Sequence, residues 1–205
     1  MSSRSAKAPD DRVVFLQQFL KHPRQVGSII PSSRYMERRV VALAEVANAK
    51  TIVELGTGTG GITRAILRAM APDAKLVGIE INPRFQQLLT RVQDARLIPH
   101  FGSAEHLAEI LREHQLPAPD AVISGIPFST MDPRLGTRIL AAIADALAPG
   151  GRFVAYQVSA QVARLARPVM GEPRRQVEFL NIPPMRLYRW DRAPTDAARQ
   201  RAAGG

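Results

Sequence analysis

The order of apolar and polar residues along the chain predicts strands that alternate with helices. Short apolar runs rich in Val, Ile and Leu predict buried strands, whereas longer stretches with apolar residues three or four apart predict amphipathic helices. The predicted strands are Thr51–Leu55, Lys75–Ile81, Ala95–Phe101, Ala118–Ser124, Arg152–Ser159, Val177–Ile182 and Arg186–Trp190. The predicted helices are Ser33–Ala47, Gly61–Met70, Pro83–Gln93, Ala104–Gln115, Pro133–Leu147 and Ala160–Met170.

Residues typical of helix ends support these boundaries. Asn82 is a cap residue, and Pro83 follows it at the first helical position. Ser103 precedes a stretch in which apolar residues recur at helical spacing. Strands that are separated by helices pair in parallel through right-handed crossovers, which predicts a doubly wound α/β sheet. Only Pro183, Pro184 and their neighbours separate the last two strands, so these two strands are expected to form an antiparallel hairpin.

A shorter amphipathic helix is predicted before this region, in the stretch "DRVVFLQQFLKHPRQ". Its apolar face carries Val13, Phe15, Leu16, Phe19 and Leu20, and its basic residues are Arg12, Lys21 and Arg24. Such a helix can lie in a membrane interface, held by apolar burial and by attraction to anionic lipid. It can equally cover the core of a soluble domain, and the pattern alone leaves both interpretations open.

Composition limits the classes of protein and site. A chain of 205 residues suits one domain with a full core. It has no apolar run long enough to cross a bilayer and no signal-peptide pattern, which predicts a cytoplasmic protein that is soluble or peripheral. The absence of cysteine excludes disulfides, thiolate metal sites and a cysteine nucleophile. Four scattered histidines show no paired spacing for a metal, so no metal is expected.

Positive charge is concentrated in the two ends of the sequence. Residues 1–50 hold nine Lys or Arg and four Asp or Glu, and residues 151–205 hold ten and four. Residues 51–150 hold nine and ten, although the whole chain carries a net charge of +10. This distribution indicates a neutral central part with basic surfaces that meet an anionic partner, either phospholipid or nucleic acid, or a basic surface that only aids solubility.

The stretch "TIVELGTGTGGIT", Thr51 to Thr63, places four glycines directly after a predicted strand. Gly56, Gly58, Gly60 and Gly61 allow a sharp turn and let the main chain approach a ligand closely. Glu80 lies near the end of the next strand, and the carboxyl ends of neighbouring parallel strands meet at one edge of a sheet. The pattern therefore predicts a nucleotide-like ligand whose ribose hydroxyls bind Glu80.

Two ligand classes fit this turn. Gly56, Gly58 and Gly61 satisfy the dinucleotide pattern G-x-G-x-x-G, but Glu54 would repel a pyrophosphate and suits a cationic or amine-bearing ligand. The pattern E-x-G-x-G-x-G resembles the first motif of class I S-adenosylmethionine-dependent methyltransferases. That resemblance implies a Rossmann-like, seven-stranded sheet with an antiparallel last strand. It also implies S-adenosylmethionine as cofactor, S-adenosylhomocysteine as product, and cofactor contacts at Glu54, Gly56, Gly58, Gly60, Glu80, Ser103, Ala104 and Ser124.

The stretch "SGIPFST", Ser124 to Thr130, is expected to face the transferred methyl group. It resembles the N-P-P-Y type of motif in adenine amino-methyltransferases, where a polar side chain receives the amine and an aromatic ring stacks on the base. Here Gly125 and Ile126 separate Ser124 from Pro127, and the asparagine of ribosomal RNA adenine dimethylases is missing. An RNA or DNA adenine methyltransferase therefore remains the alternative function.

Several blocks together resemble bacterial phospholipid N-methyltransferases, over about residues 13–190. They are "GSIIPSSR" at 27–34, "SGIPF" and "NIPPMRLYRW", with Phe128 replacing a commoner aliphatic residue. The resemblance implies N-methylation of phosphatidylethanolamine and its partly methylated forms towards phosphatidylcholine, on the inner face of the cytoplasmic membrane. It also implies that Phe15, Leu16, Phe19, Leu20, Lys21 and Arg24 bind anionic membrane, without an obligate protein partner.

These interpretations divide the chain and name its acceptor pocket. Residues 1–10 and 193–205 are expected to be disordered tails, residues 11–50 a membrane-binding and cofactor-closing segment, and residues 51–192 the catalytic domain. The acceptor-pocket candidates are Tyr35, Ser124, Ile126, Pro127 and Phe128, and no general base is assigned. Tyr35, Tyr156 and Tyr188 are equally consistent with core aromatic residues.

Overall fold

The computed structural model describes residues 33–180 and 184–194 of the chain. The strands of these residues are β1 (Thr51–Leu55), β2 (Lys75–Glu80), β3 (Leu97–Phe101), β4 (Ala121–Ser124), β5 (Arg152–Gln157), β6 (Arg174–Glu178) and β7 (Met185–Asp191). The α-helices are α1 (Arg34–Leu43), α2 (Gly61–Ala69), α3 (Pro83–Leu89), α4 (Leu107–Glu113), α5 (Pro133–Ala146) and α6 (Gln161–Met170). Short 3₁₀ turns occupy Val46–Asn48 and Ala104–His106.

All seven strands form one sheet in the order β3-β2-β1-β4-β5-β7-β6. Strands β1 to β5 pair in parallel, and β7 runs antiparallel to both of its neighbours, β5 and β6. This confirms the predicted doubly wound sheet with an antiparallel last strand and the predicted β6–β7 hairpin. The strand order reverses between β1 and β4, and in sheets of this kind ligands bind at the carboxyl ends of the strands beside that reversal.

A hydrophobic layer covers each face of the sheet because alternate strand residues point to opposite sides. On one face, Val53 and Phe153 pack with residues of α4, α5 and α6. On the other face, Ile52 and Val154 pack with residues of α1, α2 and α3. The ring of Trp190 stacks on Phe153 with centroids 5.2 Å apart, so the antiparallel strand β7 is joined to the parallel part of the sheet by side chains as well as by main-chain bonds.

Side-chain caps fix where three helices begin. Ser33 Oγ accepts a hydrogen bond from the main-chain N–H of Met36, Asn82 Oδ1 from Arg84 and Asp132 Oδ1 from Arg134. Such caps satisfy amide groups that have no partner within the helix. The Asn82 cap was predicted from the sequence, and Ser33 lies at the predicted start of the first of these helices.

The helix α1 ends earlier than the predicted Ala47. Glu45 adopts a left-handed conformation with φ of 48°, which breaks the helix. The conformation directs the Glu45 carboxylate to Arg152 and Arg189, and the Arg189 guanidinium lies 2.7 Å from it. The hydrogen bond from Arg189 is the main reason that the pKa of Glu45 lies below its usual value. A tertiary ion pair therefore ends α1, and the local sequence pattern does not contain it.

The predicted strand Val177–Ile182 is displaced towards the N-terminus, because β6 covers Arg174–Glu178. The side chain of Glu178 folds back and its Oε1 accepts a hydrogen bond from the N–H of Leu180, which turns the chain after Glu178. The predicted helix Ala104–Gln115 is split into the 3₁₀ turn and α4, and Gln115 has a positive φ of 54°.

Several predictions fall outside the described residues. The N-terminal amphipathic helix, with Phe15, Leu16, Phe19, Leu20, Lys21 and Arg24, belongs to this group. So do residues 27–32 of the "GSIIPSSR" block and residues 195–205 of the C-terminal tail. Among the residues that the structure describes, no helix is both long and apolar enough to cross a lipid bilayer.

Candidate functional site

An open cleft lies at the carboxyl ends of the strands, where the strand order reverses. The space between its walls amounts to about 870 Å³ when the part of its mouth that opens to solvent is included. Its walls are formed by Gly56, Gly58, Ile79, Glu80, Ile81, Asn82, Phe85, Gly102, Ser103, Ala104, Gly125, Ile126, Pro127, Met131, Leu135 and Ile139. Most of these side chains are apolar, and the polar groups are concentrated near Glu80.

The glycine turn after β1 forms the floor of the cleft. Gly56, Gly58 and Gly60 have φ values of +74°, +53° and +78°, a region that other residues rarely adopt. A side-chain carbon at Gly56 would also lie 3.3 Å from Cγ1 of Ile126, on the opposite wall. The three glycines therefore serve the backbone conformation of the turn, which confirms the predicted sharp turn, and Gly56 also preserves space in the cleft.

Glu80 holds two turns of the cleft together. Its Oε2 accepts hydrogen bonds from the N–H of Gly58 at 3.0 Å and from Oγ1 of Thr57 at 3.5 Å. Its Oε1 accepts bonds from the N–H groups of Ile81 and Asn82, at 3.0 and 2.8 Å. Burial raises the pKa of Glu80, and these bonds lower it in part. One carboxylate thus fixes the turn after β1 against the turn after β2.

The polar atoms around Glu80 suit a hydroxylated ligand. A carboxylate offers about four acceptor positions, and the contact with Thr57 is the longest of the four at 3.5 Å. A ribose hydroxyl can replace that weak contact without disturbing the main-chain bonds. Beside it, Nδ2 of Asn82 is buried without a hydrogen-bond partner among the described residues. A buried, unpaired amide group on a cleft wall is costly unless a ligand accepts its hydrogens.

The rest of the cleft is lined mainly by apolar residues. They include Ile81, Ala104, Ile126, Pro127 and Met131. Ser103 lies at the entrance to the 3₁₀ turn, where its Oγ accepts a weak hydrogen bond from the N–H of Glu105 at 3.4 Å. The structure therefore brings the predicted residues Ser103 and Ala104 together with Gly56, Gly58 and Glu80.

Glu54 lies beneath the glycine turn and outside the set of cleft-lining residues. It is fully buried, and its Oε2 accepts a hydrogen bond of 2.6 Å from Oγ1 of Thr63. Its Oε1 has no partner among the described residues. Burial, opposed by the Thr63 bond and assisted by the charge of Glu80, raises the pKa of Glu54 to about 8. The carboxyl group is therefore largely protonated at neutral pH in this structure.

Tyr156, near the end of β5, reaches the same region from the opposite side. Its hydroxyl packs directly against Gly125, where a side-chain carbon would lie 2.8 Å from Cζ of Tyr156. Burial is the main cause of a raised pKa of Tyr156, and the charges of Glu54 and Glu80 add to it. The sequence analysis grouped Tyr156 with ordinary core aromatics. The ring of Tyr156 packs against the core on one face of the sheet, which agrees with that interpretation.

Two further contacts shape the loop after β4. Ser124 is buried, and its Oγ accepts a weak bond from the N–H of Ile126 at 3.3 Å. Nε2 of Gln157 donates a bond of 2.7 Å to the main-chain oxygen of Ile126. The sequence analysis did not select Gln157, although it ends the strand beside β4. The loop that carries Ile126 and Pro127 is therefore held by the last residue of β4 and by the last residue of β5.

The five acceptor-pocket candidates are not all brought together. Ile126 and Pro127 line the cleft, and Ser124 lies behind them. Phe128 is 1% exposed and belongs to the core under α5, where Gly136 leaves room for its ring. Tyr35 is exposed on α1 and does not line the cleft. The loop reverses direction after Pro127, which explains why the ring of Phe128 points inward.

Two of the histidines that are distant in sequence meet at the outer edge of the sheet. Nδ1 of His100 and Nε2 of His114 lie 3.1 Å apart, and Glu113 offers a carboxylate within 4.8 Å of the ring nitrogens. Burial lowers the pKa of His100. A hydrogen bond between the two imidazole rings accounts for this geometry without an ion.

Comparisons with known proteins agree with this geometry. A family model described as "Methyltransferase domain" matches residues 53–153. An ornithine lipid N-methyltransferase from Singulisphaera acidiphila is 31% identical over 181 residues, which cover 87% of this chain and 94% of that protein. A ribosomal RNA small subunit methyltransferase A from Phenylobacterium zucineum is 31% identical over 158 residues, which cover 67% of this chain. The match spans only 53% of that ribosomal RNA relative.

Solved structures show the same fold at low identity. The N-methyltransferase NodS from Bradyrhizobium japonicum superposes with a TM-score of 0.64 at 13% identity, over 78% of this chain and 96% of that one. The O-methyltransferase TomG from Streptomyces achromogenes, solved in complex with SAM, superposes with a TM-score of 0.63 at 17% identity, over 90% and 91% of the two chains.

The contact between Gly125 and Tyr156 predicts a specific loss of stability. Gly125→Ala places a methyl group against the tyrosine ring and should cost about 1–3 kcal/mol of unfolding free energy, as overpacking does. Tyr156→Phe removes the hydroxyl that lies nearest to this methyl group. The double variant should therefore be more stable than the sum of the two single changes predicts, when measured by urea unfolding. Full stability of Gly125→Ala would contradict the described packing.

The raised pKa of Glu54 predicts a pH dependence of stability. Between the ordinary value of 4.5 and the folded value of about 8, the folded state binds more protons than the unfolded state. Stability should therefore fall as pH rises through this window, by up to about 1.4 kcal/mol per pH unit. Glu54→Gln, which cannot ionise, should flatten this slope in urea unfolding at pH 6 to 9. Equal slopes in both proteins would mean that Glu54 is ionised when folded.

Proposed function

The chain belongs to the class I S-adenosylmethionine-dependent methyltransferases, and we propose that within this group it methylates the primary amine of a membrane lipid. Phosphatidylethanolamine is the acceptor that we propose first, with its mono- and dimethyl forms as later acceptors on the route to phosphatidylcholine. The observation that carries the proposal is the match along almost the full length of a lipid amine methyltransferase.

The cleft fits the cofactor of this family. Glu80 and Asn82 offer an acceptor and an unpaired donor for the ribose end, a side chain at Gly56 would crowd Ile126, and the apolar lining suits the adenine ring. Bound there, S-adenosylmethionine would supply a methyl group that is already activated on sulfur. The task left to the protein is to bind the acceptor amine, remove water from it and orient it.

The loop after β4 has the properties needed to prepare the amine. Ile126 and Pro127 present apolar groups to the cleft, and an amine buried beside them has a lowered pKa because desolvation disfavours its ammonium form. The neutral amine carries the lone pair that attacks the methyl carbon. The bond from Gln157 to the oxygen of Ile126 holds this wall in place. We propose that Tyr156 helps to define the amine position from behind Gly125.

A second function, adenine methylation of RNA, has its own support in the ribosomal RNA relatives. Two observations favour the lipid amine. The match covers 94% of the lipid methyltransferase, but only about half of the first ribosomal RNA relative. In addition, the ring of Phe128 is buried in the core, whereas the adenine mechanism needs an aromatic ring free to stack on a base.

A lipid acceptor requires contact with a membrane, and we propose that the protein is peripheral on the inner face of the cytoplasmic membrane. The basic ends of the sequence support attraction to anionic lipid. The predicted amphipathic segment with Phe15 and Phe19 supplies apolar residues for insertion. This part of the proposal rests on sequence alone.

Transfer of label from methyl-labelled S-adenosylmethionine tests the proposed acceptor. The purified protein is incubated in parallel with anionic liposomes that contain phosphatidylethanolamine or an ornithine lipid, and with total RNA, and label is counted in each extract. We expect label in the lipid fraction, with phosphatidylethanolamine preferred. A preference for ornithine lipid would correct the headgroup, and label only in RNA would overturn the lipid proposal.

Phe15→Asp with Phe19→Asp should abolish liposome sedimentation without loss of fold; retained sedimentation would contradict the role of that segment.

A further inference from the structure

The turn that follows β6 exposes its apolar residues and buries its acid, which reverses the usual arrangement. Phe179 is 75% exposed and Leu180 is 62% exposed. Glu178, directly before them, is 4% exposed. Exposure of two adjacent apolar side chains to water at the end of a strand is unfavourable. Such an arrangement indicates a surface that binds a partner.

The contacts of Glu178 hold the turn in this arrangement. Its Oε1 accepts the N–H of Leu180 at 2.8 Å, and its Oε2 accepts a bond from Arg39 at 3.2 Å. Arg39 also donates to the main-chain oxygen of Val177. Arg39 of α1 therefore holds the Glu178 carboxylate in its buried position. The same contacts fix the turn in the conformation that leaves Phe179 and Leu180 exposed.

The turn lies at the same edge of the sheet as the cleft. Because β6 and β5 both run antiparallel to β7, they run parallel to each other and to β1 and β4. The carboxyl end of β6, where Phe179 begins, therefore lies at the edge where the carboxyl ends of β1, β2 and β4 form the cleft. A partner surface that contacts this turn would therefore also lie over the mouth of the cleft.

Neighbouring residues extend the exposed apolar turn and add positive charge. Val158, just after β5, is exposed, and its main-chain oxygen accepts a bond of 2.6 Å from Arg186. Tyr35 is 56% exposed and lies one helical turn before Arg39, on the same face of α1. Tyrosine, with an apolar ring and a polar hydroxyl, suits the boundary between lipid and water.

We propose that these residues form a docking edge that inserts into an anionic lipid bilayer beside the cleft. The docking edge consists of Phe179, Leu180, Val158 and Tyr35, with Arg39 and Arg186. Its apolar side chains enter the acyl boundary while its arginines meet anionic headgroups. The inference rests on the proposed lipid substrate, and it adds a second membrane contact that does not depend on the N-terminal segment. A bilayer on this edge would present lipid headgroups to the cleft without removing the lipid from the membrane.

The absence of cysteine makes a direct test possible. Leu180→Cys is labelled with an environment-sensitive fluorophore and mixed with vesicles of phosphatidylglycerol and phosphatidylethanolamine. We expect a blue shift of the emission and quenching by lipids that carry a nitroxide in the acyl chain. Val169→Cys is the matched control, because Val169 is 42% exposed and lies near the end of α6 opposite to the cleft. Its label should not respond to vesicles.

Unlabelled variants measure the contribution of the turn to binding. Phe179→Ser with Leu180→Ser should weaken vesicle binding by about tenfold or more, since each side chain loses most of its apolar burial. Val169→Ser should leave binding unchanged. Cofactor affinity by calorimetry and methylation of detergent-dispersed lipid should persist in both, which shows that the fold and the reaction are intact.

The outcomes separate the docking edge from the proposed reaction. A label at residue 180 that ignores vesicles, while the protein still sediments with them, would overturn the docking edge. So would a label that is already shielded without vesicles, because another segment or a protein would then cover the turn. A response at residue 180 in a protein that methylates no lipid would support the docking edge and refute the proposed acceptor.

Discussion

The candidate site depends on one buried carboxylate that joins two turns. Glu80 accepts main-chain bonds from Gly58, Ile81 and Asn82. The glycine turn has few side-chain contacts of its own, so without this acceptor its amide groups would lose a partner in a partly dry cleft. The same carboxylate carries a weak contact with Thr57 that a ligand hydroxyl can replace. The construction of the cleft and the proposed recognition of the cofactor are therefore linked through one side chain.

The other parts of the site are arranged around this link. On the floor, Glu54 remains largely protonated because burial raises its pKa to about 8, so two acids lie close together without two full charges. On the far wall, Gln157 holds the loop of Ile126, and Tyr156 presses against Gly125. Beyond that wall, the turn after β6 presents apolar residues at the same edge. The contacts proposed for the cofactor, the acceptor and the membrane thus share one side of the sheet.

Sequence reasoning succeeded where the physical cause is local. The strand, glycine turn and helix around Gly56 and Gly58 are set by short-range geometry, and the parallel topology then places Glu80 beside them, so both were predicted. It failed where a tertiary contact decides. The contact of Tyr156 with Gly125 was not predicted, because only the pairing of β4 and β5 brings these two residues together. The end of α1 was misplaced because Glu45 pairs with the distant Arg189. The end of β6 was misplaced because the side chain of Glu178 bonds the N–H of Leu180 and turns the chain.

The role of Glu80 in cofactor recognition is the central claim, and calorimetry tests it. The experiment compares the binding of S-adenosylhomocysteine and of its 2′-deoxyribose analogue in the natural protein and in Glu80→Gln. The natural protein should bind the deoxy analogue about tenfold or more weakly, because a hydrogen bond to a carboxylate is lost. In Glu80→Gln this difference should largely disappear, since the two changes remove the same interaction. An undiminished preference for the ribose form in Glu80→Gln would contradict the role of Glu80 in cofactor recognition.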